Sequence, residues 1–341
     1  MGKVLITGGA GFIGRHVVNK LAYHKVQITI IDDLSNSYAD FTTGSQDKIV
    51  FYKQDIRNKR AVLEIFRNEK PDTCIHLAAR ISVSDSITNP TDTLYVNVGG
   101  TLNVLEACSE NKVRNFVFAS SAAVYGNSHK LPLSEEQFLQ PISPYGASKI
   151  AGEALVSSFR NLGKIENAKS LRFFNVFGKG QSPEYAGVIT KFAERLSTKQ
   201  PPLIYGNGNQ TRDFISVTDV VNAIILAATV RNGKRTSSNH SVFNVGTGKP
   251  MKIRDLARLM IGISKLSVEA KFTQPRNGDI THSYADMRRS RSELRFTQSH
   301  KIDFTIQRIL KAMILNTKLR QQSMYRQNRV LNNKIILSAS L

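Results

Sequence analysis

Short apolar runs alternate with longer amphipathic stretches through the first half of the chain. Apolar residues recur with a helical period over Ile13–Tyr23, Arg60–Glu69, Thr93–Ser109 and Pro144–Arg160. This alternation predicts right-handed βαβ units, and therefore an α/β fold built on a doubly wound parallel sheet. The predicted strands, which are rich in β-branched and aromatic residues, are Lys3–Thr7, Gln27–Ile31, Ile49–Lys53, Thr73–Leu77, Asn115–Ser120 and Ser170–Phe174.

The pattern changes after residue 175, where segments shorten and Gly and Pro become frequent. We expect a second, smaller α/β lobe there, while Thr218–Thr229 and Val242–Val245 return to the main sheet as a helix and a strand. Apolar residues between Ile302 and Ile314 predict a last amphipathic helix. The expected division is a main domain over 1–175 and 216–245, a C-terminal lobe over 176–215 and 246–316, and a basic extension over 317–341.

Composition indicates a globular protein with an unusual charge. Of 341 residues, 41% are hydrophobic, which excludes a mainly disordered chain. The formal net charge of +21 favours contact with phosphate-bearing substrates, nucleic acid or anionic lipid. The excess lies largely in the C-terminal quarter, away from the motifs described below. For the extension 317–341, a solvated tail is the default expectation, and docking on an anionic surface is the alternative.

The chain lacks the sequence features of a secreted or membrane protein. Two cysteines, Cys74 and Cys108, are too few for a disulfide framework, so we expect small core residues in a reducing, cytoplasmic setting. No apolar run approaches the roughly 20 residues that span a bilayer. The first residues lead directly into a strand, which leaves no room for a signal peptide. No cluster has the ligand spacing of a metal site.

A glycine-rich turn, Thr7–Gly14, follows the first strand and opens a helix. In the dinucleotide fingerprint, Gly8 allows the tight turn, Gly11 lets the backbone approach a pyrophosphate, and Gly14 lets helix and strand pack closely. An ordinary glycine-rich turn is the alternative, but the position between a strand and a helix favours a Rossmann-type dinucleotide site. Asp32, at the end of the second strand, has the spacing to bind the adenosine ribose, and no Arg follows closely. NAD is therefore favoured over NADP.

Asp55 follows the third strand, where the spacing is equally compatible with a contact to adenine and with a helix N-cap. Tyr145 and Lys149 lie one turn apart on the same face of a predicted helix. A neighbouring ammonium group lowers the pKa of a phenol, which makes Tyr145 a candidate general base. The serine pair Ser120–Ser121 ends the preceding strand, and a hydroxyl there could relay a proton to Tyr145.

Together these motifs resemble those of the extended short-chain dehydrogenase/reductase family. Among its NAD-dependent epimerases and dehydratases, the chain is most similar to the UDP-glucose and UDP-N-acetylglucosamine 4-epimerases, from residue 3 to about 315. The motifs that carry the resemblance are Thr7–Gly14, Asp32-Asp33, Asp55-Ile56, His76–Ala79, Ser120–Gly126, Pro144–Lys149, Leu171–Asn175, Arg212–Phe214 and Arg276–Asp279.

The resemblance implies a role for individual residues. Ser121, Tyr145 and Lys149 would form the catalytic triad. The residues implied to bind NAD are Gly8, Gly11, Phe12, Ile13, Gly14, Asp32, Asp55, Ile56, Leu77, Ala78, Ala79, Tyr145 and Lys149. The residues implied to bind the UDP-sugar are Ser121, Asn175, Arg212 and Arg276 at the sugar and diphosphate, Val188 and Tyr205 near the uracil, Asp279 on its ribose and Ser283 near C2 of the sugar.

The resemblance also separates the reactions of the family. Its dehydratases and decarboxylases carry acids directly after the catalytic hydroxyl, whereas here Ala122 and Ala123 occupy those positions. It therefore implies oxidation and re-reduction at C4 through a transient 4-keto sugar. Ser283 stands where some members carry Tyr, which implies space for an N-acetyl group. Ile81 replaces a basic residue of some members, so the sugar contacts there are open.

The resemblance further implies a homodimer through the helices that match 93–109 and 144–160. Two alternatives to a UDP-hexose 4-epimerase stay open at this point. One is another nucleotide-sugar enzyme, such as a UDP-uronate 4-epimerase. The other is a non-catalytic protein that senses NAD or binds nucleic acid, which the intact Tyr145–Lys149 pair disfavours.

Overall fold

The larger part of the protein is built on one parallel sheet. The computed structural model describes residues 2–24, 26–36, 48–181, 187–230, 240–276, 278–315 and 317. Seven strands pair in the order β10-β6-β5-β4-β1-β2-β3, and all of these pairs are parallel. The strands are β1 (Lys3–Thr7), β2 (Gln27–Asp32), β3 (Ile49–Lys53), β4 (Thr73–His76), β5 (Asn115–Ser121), β6 (Asn167–Phe173) and β10 (Val242–Val245).

Helices cover both faces of this sheet. On one face, α1 (Phe12–Tyr23) and α8 (Val217–Thr229) pack on alternate strand residues such as Val4 and Ile6. On the other face, α2 (Lys59–Glu69), α5 (Thr101–Glu110) and α6 (Pro144–Asn161) pack on the intervening residues, among them Leu5 and Phe118. Because strand side chains alternate between faces, a run buried on both sides is apolar at every position. The predicted doubly wound α/β fold is confirmed.

Short elements complete the main part. They are α3 (Val83–Thr88), α4 (Pro90–Leu94), a π-helical segment (Tyr95–Gly100), a 3₁₀ turn (Ala122–Tyr125) and α10 (Arg288–Glu293). Both cysteines are free and buried in the apolar layer between the sheet, α2 and α5, as expected of small core residues.

The helix predicted over Thr93–Ser109 is wrong in detail. Asn89 caps a helix that begins at Pro90, and the π-helical segment then separates α4 from α5. Gly100 ends this segment against Ile56, where a Cβ would lie 2.5 Å from the Ile56 Cδ1 atom. A helical period in sequence does not reveal the extra residue that a π turn inserts.

Strand β6 begins three residues earlier than predicted. Its first residues include buried polar side chains, which an apolar pattern in the sequence does not reveal. Lys169 is fully buried, and its ammonium group donates hydrogen bonds to the carbonyls of Ala227 and Val230 at 3.3 and 2.8 Å. These carbonyls end α8, so a cation here satisfies groups that the helix leaves unpaired. The polar residue thus fastens α8 to the sheet.

The smaller lobe contains two short sheets and three helices. In one sheet, β9 (Thr211–Ser216) lies between parallel β7 (Asn175–Phe177) and antiparallel β11 (Pro250–Lys252); in the other, β8 (Leu203–Tyr205) pairs in parallel with β12 (Lys271–Thr273). The helices, α7 (Val188–Ser197), α9 (Ile253–Ser264) and a last helix over 302–315, bury a common apolar cluster. The predicted last helix is confirmed, with Ile306, Ile309 and Leu310 buried.

A helix and a strand return from the smaller lobe to the large sheet, as predicted. Helix α8 packs beside α1, and β10 adds an edge strand to the large sheet by pairing with β6. Among the described residues, no helix combines the length and the apolar character needed to cross a bilayer. Residues 318–341 lie outside the described residues, so both expectations for the extension stay predictions.

Candidate active site

A cleft opens at the carboxyl ends of β1, β2, β4 and β5, where the strand order reverses. Such a reversal is the place at which open parallel sheets bind ligands. All thirteen residues predicted to bind a dinucleotide line this cleft: Gly8, Gly11, Phe12, Ile13, Gly14, Asp32, Asp55, Ile56, Leu77, Ala78, Ala79, Tyr145 and Lys149.

The glycine turn is possible only without side chains at two positions. Gly8 has a φ of 69°, and a Cβ there would lie 2.6 Å from the amide nitrogen of Ala78. A Cβ at Gly14 would lie 2.1 Å from the carbonyl oxygen of Gly8. No side chain caps α1 at its N-cap residue, Gly11, so N–H groups of the first helical turn face the cleft. This cradle fits the diphosphate of a dinucleotide.

Asp32 is held in place by the backbone. Its carboxylate accepts hydrogen bonds from the N–H groups of Ala10 and Leu34, both at 2.9 Å. Asp32 also lines the cleft, where a carboxylate can accept hydrogen bonds from the hydroxyls of a ligand such as ribose.

Asp55 is not a helix N-cap. The cap of α2 is Asn58, whose side chain accepts a hydrogen bond from the N–H of Ala61 at 3.2 Å. Burial opposes ionisation of Asp55, but hydrogen bonds from Arg57 outweigh it and hold the pKa of the carboxyl below its usual value. Asp55 lines the cleft as a fixed carboxylate, so the N-cap alternative is wrong.

The end of β5 and the first turns of α6 bring together Ser121, Tyr145 and Lys149. Lys149 donates a hydrogen bond to the carbonyl of Ala119 at 2.8 Å, and its nitrogen lies 5.7 Å from the centre of the Tyr145 ring. The side chain of Ser121 lies close enough to Tyr145 for hydrogen bonding between them to lower the pKa of the phenol. A candidate general base thus has a second hydroxyl beside it.

The prediction that the pKa of Tyr145 is lowered is wrong for the protein without a ligand. Burial raises the pKa of Tyr145, and the Ser121 hydrogen bond offsets this only in part. Burial likewise lowers the pKa of Lys149 to about 8, although the charge of Glu153 opposes this. Since both groups are removed from water, each favours its neutral form. In the protein alone Tyr145 is therefore a phenol at neutral pH.

Sequence reasoning missed a polar connection behind the cleft. Asn97, in the π-helical segment, accepts a hydrogen bond from the N–H of Arg80 at 2.7 Å and donates to Ser148 at 2.9 Å. It thereby ties the loop after β4 to the helix that carries Tyr145. The π turn aims Asn97 inward, and helical periodicity gives no signal of it.

His76 is held by two hydroxyl groups inside the protein. Its ring nitrogens contact the hydroxyls of Thr7 at 2.6 Å and Thr101 at 2.9 Å. Burial and the charge of Lys149 lower its pKa to about 3, so the imidazole is neutral. Among the described residues, no group of His, Cys, Asp and Glu could hold a metal ion.

The predicted substrate residues of the smaller lobe form pairs outside the lining of this cleft. Arg212 donates to Asp279 at 2.5 Å, and the guanidinium of Arg276 lies 3.8 Å from the ring centre of Tyr205. The hydrogen bond with Arg276 and its charge lower the pKa of Tyr205. A free guanidinium is a preferred ligand for phosphate, and here each one has a protein partner.

The remaining three substrate residues flank these pairs. Asn175 is exposed at the start of β7, opposite Phe214 of β9. Val188 is the first residue of α7 and packs partly on the apolar cluster of the lobe. Ser283 is buried, and its N–H donates to the carbonyl of Thr211 at 3.1 Å. Strand β9 therefore carries or borders four of the eight predicted substrate residues: Asn175, Arg212, Asp279 and Ser283.

The family of the protein follows from a direct match. Residues 4–246, more than half of the chain, match the model of the NAD dependent epimerase/dehydratase family. The chain belongs to this family. The resemblance inferred from the motifs is confirmed, and with it NAD as the cofactor. Membership also favours an enzyme over the non-catalytic alternative.

Individual relatives are similar over nearly the whole chain. A UDP-glucose 4-epimerase of Mycolicibacterium smegmatis is 36% identical over 86% of this chain and 92% of its own length. The crystal structure of Thermotoga maritima UDP-glucose 4-epimerase with UDP-glucose is 31% identical, with a TM-score of 0.84 over 93% of this chain and 99% of that one. The UDP-N-acetylglucosamine 4-epimerase of Methanobrevibacter ruminantium, in complex with UDP-N-acetylmuramic acid, is 33% identical, with a TM-score of 0.84 over 92% and 99%.

The buried ammonium of Lys149 predicts a pH-dependent gain in stability for Lys149→Met. Folding lowers its pKa from 10.5 to about 8, so the burial cost is complete below pH 8 and is lost as the pH rises towards 10.5. At about 1.4 kcal/mol per pKa unit, the variant is expected to be more stable at pH 7 by on the order of 2–3 kcal/mol.

Urea unfolding of cofactor-free protein at several pH values measures this gain. The exposed helical Lys20, changed to Met, is the matched control and is expected to leave stability within about 0.5 kcal/mol. A Lys149→Met protein no more stable than its parent at pH 7 contradicts the prediction.

Proposed function

We propose that this family member is a UDP-hexose 4-epimerase that interconverts UDP-glucose and UDP-galactose through a transient 4-keto sugar. The observation that carries the proposal is the contact of Ser121, Tyr145 and Lys149 at the edge of a cleft lined by every predicted dinucleotide residue. The UDP-glucose 4-epimerases among its relatives support the same reaction.

In this proposal the side chains move and hold protons. Tyr145 takes the proton of the C4 hydroxyl, and Ser121 hydrogen-bonds the same oxygen. The residues that line the cleft would hold NAD, which would supply the hydride chemistry at C4 when bound. Because Tyr145 is a phenol in the protein alone, it must lose its proton before it can act as a base, and the neighbouring Lys149 ammonium stabilises the phenolate that results.

The two positions directly after Ser121 carry no acid that would take the reaction further. Ala122 and Ala123 begin the 3₁₀ turn after Ser121, and the N–H of Ala123 donates to the Ser121 hydroxyl oxygen at 3.2 Å. Neither side chain can exchange a proton. Elimination or decarboxylation needs such a group, so the keto sugar is returned to an alcohol.

The nucleotide is proposed to anchor the substrate while the 4-keto sugar rotates and presents its other face. Arg212, Arg276 and Asn175 bind the diphosphate, with Arg212 and Arg276 leaving Asp279 and Tyr205. Asp279 is then free to accept hydrogen bonds from the uridine ribose, while Val188 and Tyr205 pack near the uracil. Binding energy from these remote contacts retains the intermediate.

Removal of one oxygen tests the central proposal. Purified protein is expected to convert UDP-glucose to UDP-galactose, separated by chromatography, and to release NAD when denatured. Tyr145→Phe is expected to lower kcat by about 10²–10⁴-fold, because the proton acceptor is lost, while bound NAD is retained.

Tyr23→Phe, at a tyrosine that is 84% exposed, is the control with unchanged turnover. Full activity of Tyr145→Phe overturns the assigned mechanism. Products of net oxidation or elimination would instead indicate a different reaction of the family.

Substrate breadth is proposed to depend on Ser283. Its small side chain is buried beside β9, and a relative with 33% identity is a UDP-N-acetylglucosamine 4-epimerase. We expect activity on the N-acetylhexosamine pair as well. Ser283→Tyr is expected to lower kcat/KM for the acetylated pair by at least about tenfold, because the added ring fills the pocket, and to spare UDP-glucose. Ser283→Ala should spare both pairs, and a parent protein inactive on acetylated sugars contradicts the idea.

A homodimer is proposed through the helices over 93–109 and 144–160. Leu94, Tyr95 and Leu102 leave apolar side chains exposed along this face, by 43, 65 and 36%. Such a patch supports an interface. Sedimentation velocity at micromolar concentration is expected to give twice the mass of one chain, and a monomeric mass excludes this assembly.

The cytoplasmic setting stays a prediction from the free cysteines.

A further inference from the structure

Consecutive residues at the end of β5 each hold one residue of α6, and the held residues are spaced by one helical turn. Two of them are the catalytic pair of the proposed reaction, and the third is Glu153. The contacts join Ser121 to Tyr145, Ala119 to Lys149 at 2.8 Å and Ser120 to Glu153 at 2.5 Å. Glu153 thus continues the series that positions the proton-transfer groups, although no step of the mechanism uses it.

Glu153 is buried together with a cation. Arg172, on β6, donates two hydrogen bonds to its carboxylate at 2.9 and 2.7 Å, and the two side chains are 4% and 7% exposed. Arg172 also donates to the hydroxyl of Tyr125 at 3.0 Å. Both oxygens of Glu153 are therefore occupied. An ion pair in such a place rarely adds net stability over apolar residues of similar size, so stability alone does not explain it.

The carboxylate also lies within electrostatic reach of the catalytic ammonium. Around Lys149 the facing groups are Tyr145 and Glu153 on α6, Arg172 on β6 and neutral His76 on β4. Of these, Glu153 is the group whose negative charge favours the ammonium form. Loss of that charge would leave the buried cation of Arg172 in the same network.

We propose that Glu153, clamped by Arg172, is a positioning residue: it fixes the end of β5 against α6 and keeps a charged Lys149 beside Tyr145. This inference rests on the proposed function. Its two effects are separable, because Ser120 transmits the geometric one and the carboxylate charge the electrostatic one.

Glu153→Gln keeps the shape and removes the charge. We expect kcat to fall at least about tenfold with KM within about twofold, since UDP contacts are remote from α6. The alkaline limb of the kcat–pH profile should move to lower pH by at least about half a unit, because Lys149 loses its proton more readily. Ser120→Ala should lower kcat without moving that limb. Glu69→Gln, at a partly buried carboxylate on α2 that binds Thr29 and Tyr52, should change neither.

A stability cycle tests the inference without substrate. Urea unfolding compares Lys149→Met with its parent in the presence and the absence of Glu153→Gln. The pH above which the stability gain of Lys149→Met begins to fall should be lower, by at least about half a unit, in the Glu153→Gln background. This measurement stands even if the protein turns over no UDP-hexose, so failure of the proposed function and failure of the inference are distinguishable.

Two outcomes overturn the inference. One is a Glu153→Gln protein with parental kcat and pH profile, even if its melting temperature is lower. The other is a stability cycle without a pH shift. If Glu153→Gln does not fold, the double variant Glu153→Met with Arg172→Met replaces the pair by apolar side chains of similar length. That protein should fold and still have a kcat reduced at least about tenfold, and parental kcat there also overturns the inference.

Discussion

The burial of one ammonium group at the junction of β5 and α6 is the constraint on which the site depends. Lys149 gives up hydration for a single carbonyl of Ala119, which is why its pKa falls to about 8. The same apolar surroundings raise the pKa of Tyr145. The ammonium form of Lys149 is therefore costly at neutral pH in the free protein, whereas Tyr145 rests there as a phenol. The buried ammonium thus lowers the stability of the free protein and supplies a reactive group to the site.

The sheet supplies the stability that this arrangement uses. Its strands are buried on both faces, and α6 approaches β5 closely because Gly152 has no side chain: a Cβ there would lie 2.4 Å from Phe118. The close approach brings one turn of α6 after another to successive residues of β5. Strand and helix thus act as a single rigid support, which is a better base for proton transfer than a loop.

Most of the fold was predictable because it depends on local patterns. Strand β1 and the glycine turn follow each other in sequence, so the cleft they form could be predicted from adjacent residues. What escaped prediction depends on contacts between distant residues. Lys169 is polar in sequence and buried in space, Asn97 lies in a π turn, and Asp55 finds Arg57 rather than a helix end. The direction of the Tyr145 pKa failed for the same reason: spacing reveals a neighbouring charge, but burial is a property of the whole fold.

The net charge of +21 does not by itself explain how a substrate would be recognised. In the smaller lobe Arg212 is paired with Asp279, and Arg276 lies on Tyr205. Neither cation faces solvent alone, so in the proposed complex a diphosphate competes with these partners for the guanidinium groups. Such an exchange favours a ligand that also contacts Asp279 and Tyr205 once they are released. A nucleoside would do so through its ribose hydroxyls and its base. Inorganic phosphate carries the charge without those groups. Under the proposed function, specificity for a nucleotide would therefore follow from the paired state of the arginines, and not from the positive charge of the chain.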